Sequence, residues 1–136
     1  YYGFSTLLCT PASLSQPVGT AIGTQAGPAR IAEIVGGRLA DVSAEDAYGY
    51  ARQAALNALA AVDNLVGLER IKRVVKVVGF VASDPAFTGQ PAVINGASEL
   101  LAEVFGDAGR HARSAVGVPV LPLDSPVEVE VIFSVA

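Results

Sequence analysis

Between residues 43 and 66 the apolar positions recur at helical spacing. Ala47, Ala51, Ala55, Leu59, Val62 and Val66 form one stripe, with Asp46, Gln53, Asn57, Ala60 and Asn64 on the other side. Ser43 is placed to cap this helix, and Asp46 stands three residues on in a capping-box-like position. So many alanines predict close packing on a sheet. From Ile71 to Ala82 valine dominates (Val74, Val75, Val77, Val78, Val81), which predicts a strand covered on both faces. Ser83-Asp84-Pro85 ends it as a turn. A second helix is predicted from about Gln90 to Phe105, with Pro91 in its first turn and Gly106 at its C′ position. Its stripe is Val93/Ile94, Ala97, Leu100/Leu101 and Val104/Phe105. Two strands close the chain, about 112–119 and 127–135. The last alternates cleanly, with Val127, Val129, Val131, Phe133 and Val135 on one face and Glu128, Glu130 and Ser134 on the other.

The first 40 residues are less regular. Gly3 to Thr10 reads as a strand, and Ala29 to Leu39 as a hairpin turning at Gly36-Gly37. Ser15 to Pro28, rich in Gly, Thr, Ala and Pro, reads as a mobile loop. The order of elements (strands, helix, strand, helix, strand pair) predicts the α+β class, one sheet with two helices on one face. Residues 1–136 are expected to form a single domain without internal repeats, long enough to bury a core without staples.

Composition adds an expectation of self-association: 51% of residues are hydrophobic and only 16% charged, so identical subunits would cover part of the apolar surface. The net charge of −4 gives no general attraction to nucleic acid, and Arg70, Lys72, Arg73 and Lys76 are the one local gathering of basic residues. Cys9 is the only cysteine, which rules out an intramolecular disulfide and a thiolate metal cluster and fits a reducing cytosol. No apolar run reaches the roughly 18 residues of a membrane span, and no signal peptide is visible in a chain that begins at Tyr1. A cytoplasmic location is therefore expected.

Arg113 is the leading candidate for chemistry. It interrupts a segment of Ala, Ser, Val and Gly, and a guanidinium placed there needs a partner, a ligand or solvent. Its planar fork matches a carboxylate through two parallel hydrogen bonds. The alternative is an ion pair with Glu128, Glu130 or an acid of a neighbouring subunit. Glu128 and Glu130 share a strand face that is either solvated or holds a water for reaction. If the last two strands form a hairpin, Arg113 is several residues out of register with Glu128, and cooperation between them requires a site between subunits. Asn95 sits on the border of the second helix, where spacing alone favours a surface asparagine over a capping or interior hydrogen-bonding one. His111, the only histidine, excludes a multi-histidine metal site and reads as a strand-entry residue rather than a base. Cys9 has no base beside it and reads as an inert thiol. Gly19-Thr20-Ala21-Ile22-Gly23-Thr24 lacks the Gly-Lys-Ser/Thr ending of a phosphate loop and is not a dinucleotide fingerprint.

Ala112-Arg113-Ser114 through Gly117, then Leu121-Pro122 and Val127-Glu128-Val129-Glu130, resembles the C-terminal signature of the YjgF family, also called the RidA or reactive intermediate deaminase family. The resemblance spans about residues 40 to 136 and includes Asp41-Val42-Ser43, Ala54-Ala55-Leu56-Asn57, the strand from Val74 to Val81, Phe87-Thr88 and Gln90 to Gly96. Val104-Phe105-Gly106 and Gly109 to Arg113 are similar to an uncharacterised branch. The resemblance implies a chorismate-mutase-like α+β fold of the bacillus type and a homotrimer with clefts between subunits. It implies hydrolysis of enamines and imines to 2-keto acids and ammonia, with no cofactor and no metal. Carried over by position, Arg113 grips the substrate carboxylate and Glu128 attends the attacking water, while Asn95, Ala115 and Gly117 line the site. Ala115 stands where many members have a cysteine, so thiol-dependent behaviour is not expected. The family's Gly-Asn-hydrophobic strand and Ser-Gly-Gln motif are not recognisable in residues 1–40. A trimer that binds small carboxylates without turnover is the alternative reading, and an endoribonuclease the third.

Overall fold

The computed structural model describes residues 2–9 and 42–136. The predicted hairpin over residues 29–39 and the loop over 15–28 lie outside them. The elements are β1 (Tyr2–Cys9), α1 (Ala44–Val66), β2 (Ile71–Ala82), α2 (Gln90–Phe105), β3 (Ala112–Val118) and β4 (Val127–Val135). Among the described residues the strands form a four-stranded mixed sheet in the order β1-β4-β2-β3, with both helices on one face. β4 runs antiparallel to β1 and β2, whereas β3 runs parallel to β2.

Ser43 caps α1 as expected. Its Oγ accepts from the Asp46 backbone N–H at 3.0 Å and donates to Asp46 Oδ2 at 2.7 Å. The alanine stripe is buried and wider than predicted, because Ala54 and Ala58 join Ala47, Ala51 and Ala55. Small side chains on α1 meet a glycine on α2: a Cβ added at Gly96 would collide with the Tyr48 carbonyl. The two helices can therefore lie unusually close. On the sheet face beneath the helices, Val77, Val81, Val127, Val129, Val131 and Phe133 complete the core with Val93, Ile94, Leu100 and Leu101. Each large aliphatic buried this way contributes about 1.5–3 kcal/mol.

Two expectations require correction. β2 is covered on one face only; on the other, Lys76 is exposed, and Val78 and Phe80 are half-buried. Nor are the last two strands neighbours, since β2 lies between β3 and β4. The connection over residues 119–126 does not turn back as a hairpin but crosses the end of β2. There the Ala82 N–H donates to the Pro126 carbonyl (2.9 Å) and the Ser83 N–H to the Val118 carbonyl (3.0 Å). Leu121 and Ser125 are buried in this crossing, and Ser125 Oγ donates to the Val127 carbonyl at 3.0 Å. Among the described strands β3 thereby lies at the edge, largely exposed rather than part of the core.

Candidate carboxylate site at the α2–β3 edge

Strand alternation decides which side chains of β3 reach the helix side. Arg113 pairs with Val77, Ala115 with Gly79 and Gly117 with Val81, and those β2 positions face the core. Arg113, Ala115 and Gly117 therefore form a row beside α2, while Ser114 and Val116 face the open side. Asn95 and Ser98, three residues apart, present adjacent side chains from α2 toward this row.

Arg113 Nη1 donates to Asn95 Oδ1 at 2.7 Å and to Ser98 Oγ at 3.3 Å. Both hydrogens of Nη1 are thus engaged by neutral acceptors. Among the described residues nothing accepts from Nε or Nη2, and no carboxylate pairs with Arg113. Nε and Nη2 make the side-on edge of the fork, the edge suited to two parallel bonds with a carboxylate. An ion pair was the competing reading of this residue, and no described acid supplies it.

The row narrows in bulk away from Arg113. Ala115 is half-buried against the core, and Gly117 has no side chain where one would crowd. A Cβ at Gly117 would lie 2.7 Å from Gln90 Nε2 and 2.8 Å from Ser83 Oγ. Gln90 Nε2 itself donates to the Phe87 carbonyl at 2.6 Å and to Ser83 Oγ at 3.3 Å. Small residues thus keep the strand surface open between a cationic end and a polar amide end.

Glu128 is not beside Arg113. It pairs with Phe80 on β2 and Leu8 on β1, and it points with Glu130 to the face opposite the helices. One whole strand and the thickness of the sheet separate the two candidates within a chain. Asn95, Ala115 and Gly117 gather at Arg113's side of the sheet; Glu128 does not.

Two residues of the site were not anticipated. The sequence pattern gives Ser98 no role and His111 only that of a strand-entry residue. His111 does precede β3, yet its Nε2 lies 3.0 Å from Ser98 Oγ and its Nδ1 lies 2.6 Å from the Gly109 carbonyl oxygen. The available signal was a pair of polar residues three apart on an otherwise apolar helix flank. Among the described residues no three His, Cys, Asp or Glu side chains gather as a metal site would require. No helix among them is long and apolar enough to cross a membrane.

A mixed sheet backed by two helices, with an arginine at its parallel edge, defines a small domain of the α+β class. Residues 31–135 match the family described as "YjgF/chorismate mutase-like, putative endoribonuclease". The chain belongs to this YjgF/RidA family. It is 46% identical over 93 residues to Protein TCP17 of Trypanosoma cruzi, which covers 67% of this chain and 58% of that protein. The chain thus spans little more than half the length of that relative. Among solved structures, Atu1372 of Agrobacterium tumefaciens, of unknown function, is 38% identical with a TM-score of 0.77, covering 98% of this chain and 77% of that one. A Shewanella oneidensis MR-1 protein described as a "putative endoribonuclease" is 30% identical with a TM-score of 0.71, covering 88% and 91%.

Proposed function

We propose that the protein accelerates the cofactor-free hydrolysis of small 2-imino acids and their enamine tautomers to 2-keto acids and ammonia. The observation that carries this reading is the open Nε/Nη2 edge of Arg113, held in place by neutral acceptors and left without a described carboxylate partner. Such a fork recognises the carboxylate that every 2-imino acid carries. Water adds to the C=N carbon to give a carbinolamine; the nitrogen then takes up protons and leaves as ammonia, while the hydroxyl oxygen becomes the ketone. The reaction is already feasible in water, so orientation and electrostatic stabilisation supply most of the acceleration.

Glu128 is the candidate for orienting that water. Because it occupies the opposite face of the sheet from Arg113 within one chain, the reading calls for a cleft built from more than one copy. A cytoplasmic homotrimer with clefts between subunits meets that need. The half-buried Val78, Phe80 and Ile132 on the open face support association there. The same separation favours a second reading, capture of small carboxylates without turnover. The acidic net charge of −4 weighs against an endoribonuclease role.

The test is hydrolysis of 2-iminopropionate and 2-iminobutyrate above the buffer rate by the wild type and by Arg113→Ala. Loss of acceleration in Arg113→Ala with an unchanged assembly is expected. Equal acceleration by the variant would sink the reading, and carboxylate binding without acceleration by the wild type would select capture instead.

A further inference from the structure

The hydrogens around Arg113 can be placed one by one. A backbone carbonyl only accepts, so the 2.6 Å contact with Gly109 puts the proton of a neutral His111 on Nδ1. Nε2 is then a lone pair, and the hydroxyl of Ser98, 3.0 Å away, donates to it. With its hydrogen committed, Ser98 Oγ turns a lone pair toward Arg113 Nη1 at 3.3 Å. The Asn95 carbonyl oxygen takes the second Nη1 hydrogen at 2.7 Å. With His111 neutral, the chain runs in one direction from guanidinium to backbone.

Its anchor is also rigid. Gly109 is buried in the short turn between α2 and β3, where a Cβ would strike the Leu101 carbonyl. Ser98 sits one turn of α2 after Asn95. Two elements that meet at this corner of the sheet thus fix one guanidinium nitrogen and aim the opposite edge outward. Fixing the plane before binding removes an ordering cost that a free arginine would incur on each encounter.

We infer that Ser98 and His111 are positioning residues for Arg113: the Gly109 carbonyl, His111 and Ser98 orient the guanidinium so that its Nε/Nη2 edge is preset for a substrate carboxylate. This rests on Arg113 being the carboxylate anchor. Neither residue touches the ligand. Their loss weakens capture and leaves the chemical step alone.

The experiment has two arms. Nitrogen-15 NMR of the unliganded protein reads the His111 tautomer and the rotation of the Arg113 guanidinium about Nε–Cζ. Protonated Nδ1 with slow rotation in the wild type, and faster rotation in Ser98→Ala and His111→Ala, are expected. The second arm measures pyruvate affinity and the KM and kcat for 2-iminopropionate. Ser98→Ala and His111→Ala should raise Kd and KM roughly three- to tenfold, the worth of one lost hydrogen bond, with kcat nearly unchanged. Ser98→Thr, which keeps the hydroxyl, should restore binding, and Glu103→Gln, remote from this corner, should behave as wild type. An Nε2-protonated His111, or rotation and Kd unchanged in both alanine variants, would overturn the inference while leaving the anchor reading intact. Stoichiometric, His111-dependent labelling of Ser98 by a fluorophosphonate would also overturn it, by making Ser98 a nucleophile. If the wild type binds no carboxylate at all, the anchor reading fails, and the NMR arm still decides whether the guanidinium is held.

Discussion

Two arginines reach α2 from opposite sides, and they are satisfied in different ways. Arg52, on α1, meets Glu103 with both terminal nitrogens, Nη1 to Oε1 at 3.1 Å and Nη2 to Oε2 at 2.6 Å. Next to it Tyr48 Oη donates to Glu99 Oε2 at 2.7 Å. Here the carboxylates belong to the protein, and the contacts tie one helix to the other. Among the described residues Arg113, on β3, meets only a neutral amide and a hydroxyl, both through Nη1. An arginine closed by its own carboxylate is a strut. One held by neutral acceptors has orientation without neutralisation, and that is the condition for binding an anion from outside.

The contrast can be broken from either end. Arg113→Lys keeps the charge and removes the fork; pyruvate affinity should fall roughly tenfold or more, read by calorimetry. Asn95→Asp should convert Arg113 into a copy of Arg52 by offering it an internal carboxylate. Competition of that kind should weaken pyruvate binding about fivefold, the scale of an exposed ion pair, with the fold intact by circular dichroism. Arg52→Ala should do the reverse, lowering the thermal midpoint slightly and leaving pyruvate affinity unchanged.

The smallest effect concerns acid. The hydrogen bond from Arg52 holds the Glu103 carboxyl below its ordinary value of 4.5. A carboxyl depressed in the folded state adds stability above its ordinary value, and that contribution fades as pH falls through the folded value. The wild type should therefore lose slightly more stability than Glu103→Gln as pH drops below about 4.5, measured by denaturation midpoints. At the other extreme, donation to Glu99 raises the Tyr48 phenol above 10.0. A raised group stabilises below its ordinary value, so Tyr48→Phe should differ from wild type at neutral pH and converge with it as pH rises through the Tyr48 value.

Periodicity carried most of the fold. The Ser43 cap, the alanine stripe and the alternation of β4 each depend on neighbours close in sequence, and each stands where the pattern placed it. Pairing of strands does not depend on such neighbours. Residues 119–126 are long enough either to turn a hairpin or to cross the end of β2, and what decides is the hydrogen bonds of Ala82 and Ser83, donors on a distant element. The valines of β2 read as a doubly covered strand because composition records hydrophobicity, not which partner covers it. Arg113 and Asn95 were legible as polar interruptions of apolar segments and as parts of a family signature. Ser98 and His111 were not, since a serine on a helix flank and a histidine before a strand gain meaning only when α2 packs against the start of β3. Glu128 was legible as chemistry and its face from the alternation of β4, but its separation from Arg113 by the whole of β2 follows only from the strand order.

The most direct measurement is titration of the wild-type protein and Arg113→Ala with pyruvate, with Arg52→Ala as the comparison. Saturable one-to-one binding by the wild type and Arg52→Ala, weakened about a hundredfold or lost in a folded Arg113→Ala, is the predicted result. Equal binding by Arg113→Ala, or equal losses in the two arginine variants, would contradict the assignment of Arg113 as the carboxylate anchor.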